Sequence, residues 1–313
     1  MGSNFPDILG IRGEDPMLSN IGVDSIVSGE REMTEQAENR TATIRVSEVR
    51  AEGGALNARV TVVNLTGHKL PSGVGMRRAF IHFEVFDAER KLLWSSGRTN
   101  GAGVIIDQNG SPIAGELWWE SDCSARIKPM ARMHQPHYEA ISRQDQAQIY
   151  EQLVSAPSAV GAPRCGPGTP PAAELTTSFL SQCTRVKDNR LLPQGFLDLN
   201  ARRQIAAALG AGADLAEEAG AAAVGEDPDY RSGGRDAIIY RVPVSELAGK
   251  PAAVQATLYY QATPPYYLQD RFCTARGDDT RRLYYLADKL PLAGTPAEDW
   301  KLRLVTSGPV EVP

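Results

Sequence analysis

The sequence predicts a mainly β protein: an antiparallel β-sandwich of the immunoglobulin-like class, with a mostly helical insertion and an N-terminal arm. Short runs in which polar and apolar residues alternate with a period of two recur along the chain, as in half-buried strands. Glycines and prolines separate these runs, whereas a central segment rich in alanine lacks the period. Recurrent strands around a helical segment favour a sandwich with an insertion. The alternating runs lie at 41–49, 59–65, 79–86, 237–242 and 254–261.

The chain divides into two parts by its patterning. Residues 1–40 show no sustained period and are interpreted as an arm or linker that docks on a neighbour, with a charged, helix-compatible run at 30–38. Residues 41–313 are interpreted as the sandwich domain, and its insertion is expected at about 155–235.

The first half of this domain is a predicted β-meander. A strand at 41–49 and a turn at Glu52-Gly53-Gly54 lead into the paired runs at 59–65 and 79–86, and a further turn leads to Leu92. Turn-forming residues between short alternating runs indicate hairpins. The later segment 146–154 fits a strand or a helix equally well by its pattern.

The second half contains the predicted helices. Residues 155–171 are rich in Pro, Gly, Ala and Ser and indicate a loop. Asn200 is a candidate N-cap for a helix at 201–209, which Gly210 would end, and a second short helix is predicted at 214–223. Beyond the resumed strands, we expect a helix at 281–289 and a last strand near 300–305.

Composition excludes several classes of function. The net charge is −5 and there is no basic tract, which argues against nucleic acid as a partner. No run of 18 apolar residues is present, so no membrane span is predicted. The first residues lack the basic and apolar regions of a signal peptide. The expected location is nevertheless periplasmic or extracellular, because of the cysteines.

Four cysteines are widely spaced along the chain: Cys123, Cys165, Cys183 and Cys273. An even number suits two disulfides in an oxidising compartment, with three possible connectivities. We favour a Cys165–Cys183 bridge, because these two residues bracket the Pro-rich loop. Four free thiols are the alternative, and the wide spacing does not match a structural zinc site.

One stretch carries a family resemblance. Residues 64–73, Asn-Leu-Thr-Gly-His-Lys-Leu-Pro-Ser-Gly, followed by Arg77-Arg78, resemble a β-sandwich domain found at the C-terminal end of many bacterial multihaem c-type cytochromes. Other blocks resemble the same domain in the same order, over roughly 40–312. They are Ser95-Ser-Gly97, Asp145-Gln-Ala-Gln-Ile-Tyr-Glu151, Asp188-Asn-Arg-Leu-Leu-Pro-Gln-Gly-Phe196, Gly234-Arg-Asp-Ala-Ile-Ile-Tyr240, Leu258-Tyr-Tyr-Gln261 and Pro264-Pro-Tyr266.

The resemblance implies a strand at 146–154 and a connection to electron transfer. It also has a clear departure, since family members carry haem on Cys-x-x-Cys-His motifs and no cysteine of this chain precedes a histidine. The expectation is a haem-free, non-catalytic module that supports or docks a multihaem c-type cytochrome chain or segment. By this resemblance His68 is a candidate axial ligand to a partner's haem c, with Arg77 and Arg78 as further cofactor-binding candidates.

The alternative hypothesis is a copper- or zinc-binding metalloprotein or enzyme. His134 and His137 are candidate metal ligands with Met130 and Met133 beside them, and His68 would supply a third imidazole. Pro136 excludes a regular helix between the pair. His68 also has a structural interpretation, in which it hydrogen-bonds within its loop, and mid-strand His82 is interpreted as structural.

Other chemistries have little support. There is no Gly-x-Ser-x-Gly, His-Glu-x-x-His or P-loop motif. A carbohydrate- or surface-binding sandwich that uses Trp118 and Trp119 is a third hypothesis.

Overall fold

The protein is described by a computed structural model over residues 19–20, 23–73, 75–127, 134–158, 165 and 171–313. The strands in these ranges are Ser19–Asn20 (β1), Val23–Asp24 (β2), Ala42–Glu52 (β3), Ala55–Asn64 (β4), Arg78–Phe86 (β5), Leu92–Ser96 (β6), Ala140–Ile141 (β7), Ile149–Tyr150 (β8), Gln152–Pro157 (β9), Pro171–Leu175 (β10), Arg185–Asp188 (β11), Arg235–Pro243 (β12), Ala253–Gln261 (β13), Leu302–Thr306 (β14) and Val310–Glu311 (β15). The α-helices are Ser25–Arg40 (α1), Leu199–Ala208 (α2), Ala213–Glu218 (α3), Asp229–Ser232 (α4), Pro265–Thr274 (α5) and Asp278–Asp288 (α6).

The first sheet has the order β3-β4-β12-β7. A two-residue turn joins β3 to β4, and both of its glycines have positive φ, 61° at Gly53 and 76° at Gly54. Such a turn matches the twist of a hairpin and favours glycine. β12 runs antiparallel to β4, while the short β7 lies parallel to β12.

The second sheet has the order β14-β13-β5-β6, with β15 on β13 and β8 on β5. β5 and β13 pair antiparallel over nine residues, from Arg78 opposite Gln261 to Phe86 opposite Ala253. This pairing places two of the family-like sequence blocks side by side at the centre of the sheet.

The two sheets face each other across one apolar core. Alternate residues of β4, such as Val60 and Val62, are fully buried and pack with Ile81 and Phe83 of β5. The ring of Phe83 stacks on Tyr240 of the opposite sheet, with centroids 4.0 Å apart. The predicted mainly β, antiparallel sandwich-like fold is therefore confirmed.

The segment predicted as an arm contains a helix. α1 packs against β14, where Ala37 is buried and Glu38 pairs with Arg303 at 2.8 Å. In the described part of the chain, no helix combines the length and the apolar character that crossing a membrane requires.

Within its described residues, the insertion contains the two predicted helices and a further short one, Asp229–Ser232, but also strands. β9, β10 and β11 form a separate three-stranded sheet. The predicted strand at 146–154 is split, because the chain leaves the second sheet after β8 and joins this third sheet at β9. The predicted N-cap Asn200 is wrong: Asp198 caps α2 by accepting a hydrogen bond from the Ala201 amide, so the helix begins two residues earlier.

Two disulfides connect distant parts of the chain. Cys165–Cys183 is the predicted bridge, and Cys123 pairs with Cys273 at the end of α5. The second bridge links the loop after β6 to the helix after β13.

Gly97 at the end of β6 provides a test of close packing. It has φ +79°, and a methyl group there would overlap the Ile81 carbonyl oxygen. We expect Gly97→Ala to lower the free energy of unfolding by roughly 3 kcal/mol or more, as the sum of left-handed strain and overpacking. Gly110→Ala is the control, because φ is +82° but nothing lies within 4 Å, and it should cost about 1–2 kcal/mol. Equal losses in chemical denaturation would contradict this packing.

His82 provides a test through pH. Its side chain is 14% exposed, and burial, with Lys301 and Arg98 nearby, lowers its pKa to about 3. The unfolded chain therefore binds a proton that the folded chain rejects between about pH 6.5 and pH 3, so stability falls as pH falls. His82 should contribute about 2 kcal/mol to the loss between pH 7.5 and pH 5. In chemical denaturation, His82→Gln should lose correspondingly less unfolding free energy over this pH range than the parent protein. His68→Gln, which replaces an exposed histidine, is the control and should behave like the parent. If His82→Gln has the same dependence of stability on pH as the parent, His82 is not buried as described.

Candidate functional site

The loop between β4 and β5 presents His68, which is exposed. Its Nδ1 lies 3.0 Å from the carbonyl oxygen of Lys69 and 3.2 Å from the hydroxyl of Thr66. A carbonyl oxygen can only accept, so in the neutral ring Nδ1 carries the proton and Nε2 keeps its lone pair. Nε2 has no hydrogen-bond partner among the described residues. The ring thus shapes its loop and also leaves a ligating nitrogen available.

Asn64, at the end of β4, anchors this loop from below. Its fully buried side-chain amide donates to the carbonyl oxygens of His68 at 2.8 Å and Leu191 at 3.1 Å. Its side-chain oxygen accepts from the backbone amide of Thr66 at 2.9 Å. Backbone groups in a loop need such partners because no sheet supplies them. One side chain therefore fixes both ends of the segment that precedes Lys69.

Asp188 of β11 anchors the residue after His68. Its carboxylate, 1% exposed, lies 2.8 Å from Lys69 Nζ, accepts two hydrogen bonds from Arg190 and lies 3.6 Å from Arg185. Burial lowers the pKa of Lys69, against the attraction of Asp188. Burial opposes ionisation of Asp188, but Arg190 and Lys69 outweigh it and lower its pKa. The carboxylate is thus held charged beneath three cations.

Arg78, a candidate cofactor-binding residue, lies in the protein interior. It is 1% exposed, donates to both carboxylate oxygens of Glu116 at 2.5 and 2.8 Å, and donates through Nε to Gln261 at 2.7 Å. The Phe80 and Tyr266 rings lie 5.9 and 5.7 Å from its guanidinium carbon. The Arg78 side chain is therefore not accessible to a haem on a partner chain. Arg77 is half-buried.

A second buried ion pair lies close by. Lys187, fully buried, donates to Glu151 at 3.0 Å and to the carbonyl oxygen of Ile149 at 2.9 Å. Burial lowers the pKa of Lys187, and Glu151 opposes this effect. Buried charges persist only when paired and hydrogen-bonded, so these pairs act in the structure rather than as reagents.

His137 lies in a third buried network, with Asp227 and Asp236. Its Nε2 lies 2.8 Å from Asp227, and Gln148 donates to its Nδ1 at 2.9 Å and to Asp236 at 2.9 Å. Tyr150 also donates to Asp236, at 2.8 Å. Burial raises the pKa of Asp236 to about 7 and lowers that of His137, although Asp227 opposes the latter shift.

This network bears on the metal hypothesis. Donor atoms of His137, Asp227 and Asp236 lie within 4.8 Å of one another, and His68 and His134 are not part of this group of described residues. Because Asp227 accepts and Gln148 donates, Nε2 carries the proton and Nδ1 accepts, so both ring nitrogens are already engaged. His134 is half-buried, while Met130 and Met133 lie outside the described residues. A metal bound by His68, His134 and His137 remains a prediction.

Several residues of these networks were missed by sequence reasoning. Asp236 had a usable signal: it shares the face of β12 on which Ile238, Tyr240 and Val242 are buried, where a carboxylate requires partners. Glu116 and Asp227 lie in loops without a period, so no local pattern marked them.

The tryptophan pair does not form an open platform. Trp118 is 3% exposed and stacks on Tyr266 with centroids 4.6 Å apart. Trp119 is half-buried and donates to Asp270 at 3.0 Å. The hypothesis of a carbohydrate-binding aromatic surface at these residues is therefore wrong.

Comparisons with known proteins give few matches. No protein-family model matches the chain, and no curated protein matches it. A solved structure that it resembles is a penta-haem cytochrome c552 from Thermochromatium tepidum, at 12% identity and a TM-score of 0.35. The match covers 92% of this chain but 43% of that cytochrome, so the chain spans less than half of its length.

The Arg78–Glu116 pair gives a test of the interior beneath the loop. Arg78→Met leaves Glu116 buried without its cation, and we expect the free energy of unfolding to fall by roughly 3–5 kcal/mol. A second substitution, Glu116→Leu, removes the orphaned charge and should recover part of this loss.

The control is Arg50→Met, because Arg50 pairs with Glu52 at 2.6 Å but both side chains are more than half exposed. It should change stability by about 1 kcal/mol or less. Chemical denaturation of the parent and the three variants measures each change in the free energy of unfolding. If Arg78→Met costs no more than Arg50→Met, the buried pair is not formed as described.

Proposed function

We propose that this chain is a non-catalytic module of a multihaem cytochrome electron-transfer system, and that it presents His68 to a haem on another polypeptide. The observation that carries the proposal is the state of the His68 ring. Its Nδ1 proton is bound by the Lys69 carbonyl, and the ring is exposed with Nε2 unpartnered among the described residues. A carbonyl bonded to the distal ring nitrogen is the arrangement that orients histidine ligands in metal and haem sites.

The framework beneath the loop supports the proposal. Sequence blocks that resemble the cytochrome-associated domain are far apart in the chain but bond to one another around this loop. These contacts are Asn64 with Leu191, Lys69 with Asp188, Tyr150 with Asp236, Arg78 with Gln261, and the Tyr266 hydroxyl with the Met76 carbonyl. Several of the blocks therefore bond to one another, and the contacts of Asn64 with Leu191 and of Lys69 with Asp188 hold the loop itself.

The buried charges support a non-catalytic role. In the described residues, Arg78, Lys187 and Asp188 are each paired inside the protein rather than aimed into an open cleft. Ion pairs and hydrogen bonds within the protein balance these charges, so none of them requires a substrate as a partner. The alternative, a copper or zinc protein, would have to free His137 from Asp227 and Gln148.

The proposed location is periplasmic or extracellular. Two disulfides form within the chain. Disulfides persist in oxidising compartments and are rare in the cytosol. This is also where c-type cytochromes of the family that the sequence resembles would be met.

The first test is haem binding by the purified chain. A ferric haem c peptide with one vacant axial position is titrated into the protein, and the shift of its Soret band from high spin to low spin is followed. We expect one peptide per chain and at least tenfold weaker binding for His68→Ala. His134→Gln is the control, because it replaces another histidine and leaves the loop intact. Equal affinity of His68→Ala and parent would overturn the ligand role.

The second test addresses the partner. The tagged chain is purified from its source cells, and its visible spectrum and haem-stained gel are recorded. A Soret band that accompanies a haem-bearing companion chain supports the docking module. A colourless preparation without such a companion would count against the cytochrome system.

A further inference from the structure

We infer that Lys69, Arg185 and Arg190, here called the cationic cluster, bind the propionate carboxylates of the haem that His68 ligates. This inference rests on the proposed function and deepens it, since it assigns a second recognition element for the same cofactor. The cluster takes the cofactor-binding role that the sequence suggested for Arg78, because the Arg78 guanidinium is bound to Glu116.

The charge of the cluster is not balanced. Three cations surround one carboxylate, Asp188, which gives a net charge of +2. Glu217, whose backbone carbonyl oxygen accepts from Arg185, has its carboxylate paired with Arg203 at 2.6 Å. Asp188 is 1% exposed, whereas the cationic side chains are 13–21% exposed, so the positive charges lie outside the negative one. An anion that approaches this surface meets the cations first.

Some hydrogen-bond donors of the cluster are still available. Arg190 gives Nε and Nη2 to Asp188, and its Nη1 has no partner among the described residues. Lys69 uses two of its three donors, on Asp188 and on the carbonyl oxygen of Gly220 at 2.7 Å. Arg185 donates to carbonyl oxygens at the end of α3 and contributes mainly charge. Carboxylates bind well to such charged donors.

The position of the cluster fits a haem ligated by His68. Lys69 follows His68 directly, and its carbonyl oxygen holds the imidazole ring. Its ammonium group lies 2.8 Å from the Asp188 carboxylate, which also binds Arg190, so Lys69 connects the histidine loop to the rest of the cluster. Propionates extend from the edge of the macrocycle, whereas the ligating imidazole lies under its centre. The carboxylates therefore need cations beside the ligand. Arg190 and Lys69 are partly exposed and can supply them, in contrast to fully buried Arg78.

The test compares two ferric porphyrins in the same neutral detergent: one with two free propionates and its dimethyl ester, which lacks the carboxylate charges. We expect Arg190→Gln to weaken binding of the free acid about three- to tenfold, a typical effect of one charge-assisted contact, and to leave the ester unchanged. Added salt should weaken binding of the acid more than that of the ester. Arg190→Lys, which keeps the charge, should retain most of the affinity for the acid.

The controls separate this inference from the proposed function. His68→Ala should abolish the Soret shift that marks ligation of both porphyrins, and Arg50→Gln, an exposed arginine on β3, should affect neither. The inference is overturned if His68→Ala acts as expected but Arg190→Gln weakens binding of the acid and of the ester equally, or weakens neither. The cationic cluster would then be only structural. If His68→Ala has no effect, the proposed function fails first. Thermal unfolding of each variant confirms that the loop framework is intact.

Discussion

The structure depends on how the buried side chain of Asn64 holds the loop that follows β4. A loop that leaves a sheet loses the partners of its backbone groups, and burying such groups unpaired is costly. Asn64 bonds the carbonyl oxygens of His68 and Leu191 and the amide of Thr66 at once. It thereby joins the first sheet, the histidine loop and the insertion, and it converts an otherwise free loop into a fixed one.

Charged pairs in the interior complete this framework. Arg78 with Glu116 and Lys187 with Glu151 place four ionised groups where the dielectric is low. Such pairs add little net stability relative to apolar residues, but breaking one leaves a costly orphan. We expect their effect to be selective, because an alternative packing that separates the partners would leave a buried charge unpaired. This selectivity suits a region that must keep one loop in one position.

The polar groups around the histidine loop are of two kinds, those buried in the protein interior and those accessible to solvent. Groups such as His137 and Asp236 are sealed inside and bonded to each other. His68 is exposed on the anchored loop, and the partly exposed cationic cluster is joined to that loop through Lys69. Both keep unpaired donors or lone pairs among the described residues. A rigid scaffold that supports an exposed ligand and adjacent charge is how binding residues are commonly placed on loops. This arrangement is the basis of the role that we propose.

The sequence by itself determined the long strands of the two facing sheets, since the alternation in 59–65 and 79–86 reflects burial of one sheet face, a local property. It did not predict the third sheet, which β9, β10 and β11 form. It also located the histidine loop and favoured the Cys165–Cys183 bridge, because the glycines, prolines and cysteines there act over short distances. The helices at 201–209, 214–223 and 281–289 were predicted with shifted ends, as at Asp198, because capping depends on single side chains. The helix α5 was not predicted.

Only the tertiary structure decided what the polar residues do. Arg77 and Arg78 are neighbours in sequence, but the strand turns Arg78 inward to Glu116, 38 residues away. Lys69 meets Asp188 from 119 residues away, and neither residue carries a local signal of the other. Pairing of charges depends on which surfaces the packed sheets bring together, and that is a property of the whole fold rather than of any short stretch.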